Sequence, residues 1–487
     1  MGNLFSSPFQ DEFALLSEKK SSNLTLCNKQ IAVVPRQIFS FTFLKVINLH
    51  NNDINSNQLA SVAKSFTVLS NLEELDLSKN KLTTISSDHI AFFPNSLKNL
   101  NLHANQINIF VCGDQQLANV VELDLGSNQL ENFPESVLQL ANLKSLSLCK
   151  NKISHLEIEF PESVKLVVLD LSYNQIGKVP SWLAKLPELK SLYLGFNLIE
   201  QALLASFTKL TELNEIDLKN NRITSFFSDS EDILKDNLPV LCNLRRLYLN
   251  NNSLTLLPKL NFLTALTVVN LSENKLEEFP DFYEHSLRSL MIQNNNIHKI
   301  SSNQLLNYSK LQEVDLSLNN IVKIPKKLLC KRSAQFAFYS SVPDLIIPNL
   351  YLGSEEAAQN KEILAHLQIT HIVRVKDSGE ISFQDDFKFL VIPILDSSRE
   401  NIFDHFESAF AFISGAIGNG DNVLVHCARG VSRSATIVIS YLMRSLKLST
   451  EGALELAKSK RPIVAPNNGF YKQLKQYDTW TEADTTS

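Results

Sequence analysis

The sequence predicts two architectures in one chain: a horseshoe-shaped solenoid built on a parallel sheet, followed by an α/β domain. Three observations carry this. An eleven-residue unit, L-x-x-L-x-L-x-x-N-x-L, recurs twelve times from LKVINLHNNDI to LQEVDLSLNNI. The pattern stops after IVKIPKKLLC. From residue 342 onward, short β-rich runs alternate with helical ones, as in an α/β domain. The expected organisation is a leader at 1–20, repeats at 21–330, a linker at 331–341 and the α/β domain at 342–487.

Each L-x-L of the unit is a short strand whose leucines point inward, so stacked coils share one core and one parallel sheet. The asparagines Asn52, Asn80, Asn105, Asn128, Asn151, Asn174, Asn197, Asn221, Asn252, Asn274, Asn295 and Asn319 fall at equivalent turns, the central ones 23 residues apart. Buried amides there can bond the neighbouring coil's backbone, a structural rather than a chemical role. NLTLCNKQIAV (23–33) reads as a degenerate first coil in which Lys29 replaces the asparagine. Pro35, Pro134, Pro180, Pro258, Pro280 and Pro325 follow the strand turns, where a fixed φ suits an irregular outer segment. The unit resembles the leucine-rich repeat of the intracellular type. Along the outward positions of the inner sheet most residues are small and polar, but Tyr193 and Tyr248 break the row and Arg246 sits beside Tyr248. Aromatics with arginine are enriched at binding hot spots, so this concave face is the expected site for a protein partner, with the acidic SDSED insertion (228–232) at its margin.

In the α/β domain IIPNLYLG, THIVRV, FLVIPIL and NVLVHC read as strands, and NKEILAHL, FDHFESAFAFISGA and SRSATIVISYLMRSL as helices. The stretch VLVHCARGVSRSA (423–435) runs from strand through a tight loop into a helix. Loop amides at a helix N-terminus make an anion site. A cysteine at the start of that loop, Cys427, is held as a nucleophilic thiolate by the same field. Gly430 permits close backbone approach, and Arg433 can grip two phosphate oxygens through its planar fork. Thiolate and phosphate cradle together point to phosphoryl transfer onto sulfur.

HCARGVSRS matches H-C-x-x-G-x-x-R-[ST] and resembles the signature of cysteine-dependent protein tyrosine phosphatases. IPNLYLGS, ITHIVRV, IPILDSSREN, ATIVISYLM and RPIVAPNNGF, in that order, resemble the dual-specificity branch. The resemblance spans residues 345–480. It implies a phosphate-binding loop of Cys427, Ala428, Arg429, Gly430, Val431, Ser432 and Arg433, with His426 and Asn467 shaping it. It implies Asp396, 31 residues before Cys427, as general acid; Asp385, Asp386 and Asp404 are the rival carboxylates. Ser434 would bond Cys427 and ease thiolate departure, or simply cap the helix. No cofactor or metal is expected, because Arg433, the loop amides and the helix dipole can carry the charge stabilisation. The expected substrates are proteins phosphorylated on tyrosine and on serine or threonine. The alternatives are a phosphoinositide or other non-protein phosphate, favoured by the extra charge of Arg429, and a scaffold that only holds phosphorylated partners.

A net charge of -5 without a long basic run gives no footprint for nucleic acid. The six cysteines form no CxxC pair, which signals neither zinc nor a disulfide framework and fits a reducing, cytoplasmic compartment. No apolar run is long enough to span a membrane. The opening MGNLFSS fits an N-myristoylation motif with Gly2 as acceptor. One acyl chain gives only reversible binding, so transient membrane contact is expected.

Overall fold

A computed structural model describes residues 9–484 apart from 20, 114–115, 162, 202–206, 208, 226–240, 258, 284, 301–307, 322–336, 341 and 380–382. Gly2, the SDSED insertion, Pro258, Pro325 and most of the expected linker lie outside the described residues. The chain divides into two compact units, residues 1–257 with 262–266, and residues 258–261 with 267–487.

In the first unit, three-residue strands from Asn23–Thr25 to Arg246–Tyr248 pair in parallel and in chain order, and the degenerate coil at 23–33 supplies the first of them. The asparagine column has the expected role. Asn128 shows the pattern: its Nδ2 donates to Leu102 O (3.1 Å), Leu125 O (2.9 Å) and Gly126 O (3.0 Å), while its Oδ1 accepts from Ile107 N (2.9 Å). One buried amide thus satisfies groups in two coils at once. Pro35, Pro134 and Pro180 each precede a 3-10 turn on the outer side, at Arg36–Ser40, Glu135–Gln139 and Ser181–Lys185.

A second column has the same kind of job. At the outward position of six strands, Asn48, Asp76, Asn101, Asp124, Asp170 and Asp217 accept the backbone N–H two residues on, at 2.7–3.0 Å, while Ser147 at the same position bonds Cys149 Sγ instead. These side chains hold the turn that leaves the strand. Tyr193 and Tyr248 occupy this position without a side chain able to do so at that range. They lie two strands apart, with Asp217 in register between them. Between them Arg246 donates to Glu215 Oε2 (2.8 Å), and Tyr193 OH reaches the same oxygen at 3.4 Å.

The leader contains a helix that the sequence reading did not place. Gln10–Lys19 is a helix that buries Phe13 and Leu16; Phe13 stacks on Phe41 at 5.6 Å and Glu12 pairs with Lys29 at 2.8 Å. It covers the open end of the first coil, whose core would otherwise face water.

In the second unit, Val268–Asn270, Ser289–Met291 and Glu313–Leu316 continue the repeat pattern. Residues Ala337–Ser340, inside the expected linker, form one more parallel strand beside Glu313–Leu316. A five-stranded sheet follows, in the order Asp344–Ile347, Leu350–Gly353, Asn422–His426, Ile369–Val375, Lys388–Ile392. Its first pair is antiparallel and the rest are parallel. The helix Arg433–Leu446 is buried from Arg433 through Met443, packed between the strand Asn422–His426 and the helices Phe406–Gly418, Thr450–Lys460 and Asn468–Asp484. Parallel strands with helices on their faces read as near-continuous apolar runs, which is why NVLVH is buried along four of its five residues. The loop between this strand and this helix is held from both ends by the core.

Candidate active site

The loop His426–Arg433 leaves the central strand and enters the central helix, and its Cys427 is only 2% exposed. For its amides to face an anion, its carbonyls must face away and find partners there. Each carbonyl from 428 to 432 does. Ala428 O accepts from Glu355 N (3.3 Å), Val431 O from Ala465 N (2.9 Å) and Ser432 O from Thr436 Oγ1 (2.8 Å). Arg429 O and Gly430 O both accept from one side chain, Arg461, at 3.0 and 2.9 Å. Gly430 has φ +68°, and a Cβ there would lie 2.4 Å from Gly353 O, so no other residue fits the turn.

On the inner side Cys427 Sγ accepts from Gly430 N (3.2 Å) and Ser434 Oγ (3.1 Å). Burial raises the thiol's pKa, but bonds from the Ser434 hydroxyl and from the amides of Ser434, Val431 and Gly430 outweigh it, leaving the thiol below its ordinary value. The other described cysteines with a resolved shift, Cys112 and Cys149, move the opposite way because burial dominates. Ser434 therefore acts on the sulfur, beyond the capping role that the sequence also allowed.

Arg433 is 8% exposed. Its Nη1 donates to Ile394 O at 3.2 Å and lies 3.6 Å from Asp377 Oδ1, and its Nε lies 3.7 Å from Asp396 Oδ2. Nε is buried and has no hydrogen-bond partner among the described residues, which leaves a donor for a substrate oxygen. Asp396 comes to the loop: its Oδ1 accepts from Ser432 Oγ (2.7 Å) and Asn467 Nδ2 (2.9 Å). Asn467 also donates its backbone N–H to Ser432 Oγ (3.2 Å) and caps the last helix at Phe470 N (3.0 Å). The rival carboxylates lie elsewhere. Asp385 and Asp386 are in an exposed turn, Asp386 paired with Lys361 at 2.6 Å, and Asp404 bonds Asn401 at 2.9 Å. Arg429 is exposed at the rim.

His426 is buried, and burial pushes its pKa down to about 4. The folded state thus holds the neutral ring, and between pH 6.5 and about 4 only the unfolded chain takes up the proton. The resulting stability, about 3 kcal/mol, is fully present above the unfolded value and is lost as pH falls through that window. Hydrogen exchange of the strand Asn422–His426 should accelerate between pH 6.5 and 4.5 beyond its intrinsic pH dependence, and His426→Gln should remove that acceleration; an unchanged profile would place the neutral ring elsewhere.

Arg461 and Asp377 were not singled out by sequence reasoning. Arg461 opens the quoted RPIVAPNNGF, but nothing in a linear pattern marks an arginine as buried. Among the described residues no group of three or more His, Cys, Asp or Glu could hold a metal ion, and no helix is long and apolar enough to cross a membrane. The arrangement can bind a tetrahedral anion, attack it with sulfur and supply a carboxyl group at the mouth.

Residues 350–479 match the family model of the dual specificity phosphatase catalytic domain, and residues 53–107, 118–176 and 141–199 match the leucine rich repeat model. Dual specificity protein phosphatase 1 of Arabidopsis thaliana is 42% identical over 138 residues, 28% of this chain and 70% of that protein. MAP kinase phosphatase with leucine-rich repeats protein 3 of Dictyostelium discoideum is 41% identical over 140 residues, 28% of this chain and 16% of that protein. The crystal structure of human DUSP28 is 34% identical over 29% of this chain and 95% of its own, with a TM-score of 0.28. With the phosphate loop, the aligned carboxylate and the repeats all in place, the chain belongs to the dual specificity phosphatases and carries leucine-rich repeats ahead of its catalytic domain.

Proposed function

We propose that this phosphatase hydrolyses phosphotyrosine and phosphoserine or phosphothreonine in proteins through a phosphocysteine, with Cys427, Arg433, Asp396 and Ser434 in the chemical roles. The observation that carries the reading is the loop itself: its carbonyls are partnered outward while its amides and Ser434 bond Sγ. The Cys427 thiolate attacks phosphorus and the phosphorus–oxygen ester bond breaks. The departing oxygen takes the proton of Asp396. Water then attacks the phosphocysteine and gives a proton to the Asp396 carboxylate, and the sulfur–phosphorus bond breaks with its electron pair staying on Sγ as the thiolate, to which the Ser434 hydroxyl donates a hydrogen bond. Arg433 and the loop amides hold the three non-bridging oxygens throughout. Release of inorganic phosphate by the full chain from phosphotyrosine and phosphothreonine peptides tests this. Turnover confined to inositol phospholipids would replace the substrate class, and binding without turnover of an aryl phosphate would make the protein a scaffold.

The concave face around Tyr193, Tyr248 and Arg246 is the surface for a protein partner in this reading. Support comes from the column they interrupt: in most coils Asp or Asn secures the turn, Ser147 and Met291 being the other described exceptions among the repeat unit's outward positions, and only at 193 and 248 is the local bond replaced by an aromatic ring. Beside it Tyr173, 44% exposed, stacks on Phe196 at 4.0 Å with Lys150 and Lys219 over the two rings, and both aromatics occupy positive φ, which bulky residues adopt at a cost. A Tyr193→Ala/Tyr248→Ala variant should lose at least about tenfold in partner capture while hydrolysing a small aryl phosphate normally; undiminished capture would rule the surface out. Acylation of Gly2 completes the proposal, and Gly2→Ala should move the protein from a partly membrane-bound to an unbound pool. An intact mass without the acyl increment would refute it.

A further inference from the structure

Two of the five loop carbonyls that must face away from the anion depend on a side chain 31 residues downstream. Arg461 donates Nε to Gly430 O (2.9 Å), Nη2 to Arg429 O (3.0 Å) and Nη1 to Asp344 Oδ2 (2.9 Å). Both members of the ion pair are about 6% exposed. Burying such a pair is costly, and its Coulomb energy offsets the desolvation only with good geometry and further hydrogen bonds. Here the two further side-chain bonds of Arg461 both go to the phosphate loop. Arg461 is itself fixed, closing the helix Thr450–Lys460 with its N–H on Ala457 O at 2.8 Å, and Asp344 opens the catalytic sheet. The clamp thus joins the first strand and the end of a late helix across the back of the loop.

From this geometry we infer that Arg461, oriented by Asp344, is the positioning residue that turns the Arg429 and Gly430 carbonyls outward and so aims the adjoining amides at the sulfur and the bound phosphate. The inference rests on the phosphate-loop reading above. A peptide plane carries its carbonyl and the next residue's N–H on opposite sides, so fixing Arg429 O fixes Gly430 N, the donor to Sγ at 3.2 Å, and fixing Gly430 O fixes Val431 N, which also lowers the thiol's pKa. Freed, these two carbonyls could rotate toward the anion and present negative dipoles where donors now stand. The buried guanidinium also attracts the thiolate electrostatically. Arg461 touches neither substrate nor sulfur in this role; it acts through the loop.

The test uses the full chain with Arg461→Ala, Arg461→Lys and Asp344→Asn. kcat/KM for a small aryl phosphate should fall about 100-fold in Arg461→Ala, with weaker inhibition by inorganic phosphate and a Cys427 alkylation profile moved to higher pH. Asp344→Asn keeps a hydrogen-bond acceptor of the same shape, and, checked for a wild-type circular dichroism spectrum, should show the same three changes in smaller measure. Arg461→Lys should recover only part of the loss, because one ammonium cannot span two carbonyls and a carboxylate. If the alanine variant unfolds, Asp344→Asn decides the question. An unmoved alkylation profile and unchanged phosphate inhibition in a folded variant would overturn the inference while wild-type turnover leaves the phosphatase reading standing; a wild-type Cys427 that alkylates like an ordinary thiol would overturn both.

Discussion

Cys427→Ser removes hydrolysis of an aryl phosphate by about 10⁴-fold or more, while leaving the fold and the capacity to bind a phosphorylated ligand intact. The reasoning is electronic. Serine is nearly isosteric, and the donors that meet Sγ, Gly430 N at 3.2 Å and Ser434 Oγ at 3.1 Å, can meet a hydroxyl as well. They cannot make it an anion at neutral pH, whereas they do bring the thiol below its ordinary pKa against the opposing effect of burial. Arg433→Lys should cost about 100-fold or more, because the guanidinium is anchored by the Nη1 bond to Ile394 O and leaves Nε, 3.7 Å from Asp396, as a second donor for the phosphate. An ammonium keeps the charge and loses the fork. Stopped-assay phosphate release, paired with capture of a phosphopeptide by the serine variant, reads both effects. Wild-type-like rates in Cys427→Ser would put the nucleophile elsewhere, and wild-type-like rates in Arg433→Lys would reduce the arginine to a point charge.

What could be read in the sequence divides along physical lines. Periodic features were legible because one bond geometry repeats: each asparagine meets the same demand in each coil, so the register is visible in the spacing alone. The phosphate loop was legible because a short contiguous segment carries most of its chemistry, and the strand–loop–helix around it is local. Asp396 needed family resemblance to single it out from Asp385, Asp386 and Asp404, since spacing does not say which carboxylate folds back onto Ser432 and Asn467. Arg461 and Asp344 were illegible: they lie 117 positions apart, and only the packed structure shows that an arginine at a helix end is buried. Gln10–Lys19 was missed for another reason. QDEFALLSEK is a weak helix by pattern and becomes one because an open leucine core needs a cover. The strand Ala337–Ser340 likewise exists because the last repeat strand offers a free edge.

Asp396→Asn discriminates between substrates by the leaving group they carry. With an alkyl or simple phenyl phosphate the departing oxygen is too basic to leave as an anion, and loss of the acid should slow turnover about 10²- to 10³-fold. With a nitrophenyl-type leaving group the anion is stable, and the same substitution should cost far less. The geometry says which oxygen does the work. Ser432 Oγ and Asn467 Nδ2 both donate to Oδ1, at 2.7 and 2.9 Å, so Oδ1 is committed as an acceptor and the transferable proton belongs on Oδ2. That oxygen faces Arg433 Nε at 3.7 Å, on the side where Arg433 would hold the phosphate. An asparagine at 396 retains an acceptor for Ser432 and Asn467, so the loop keeps its shape and the measured loss isolates the proton. Measured across a series of aryl phosphates, the variant's rate should therefore depend steeply on leaving-group basicity where the wild type's depends weakly. Equal losses at both ends of the series would mean that another group protonates the leaving oxygen.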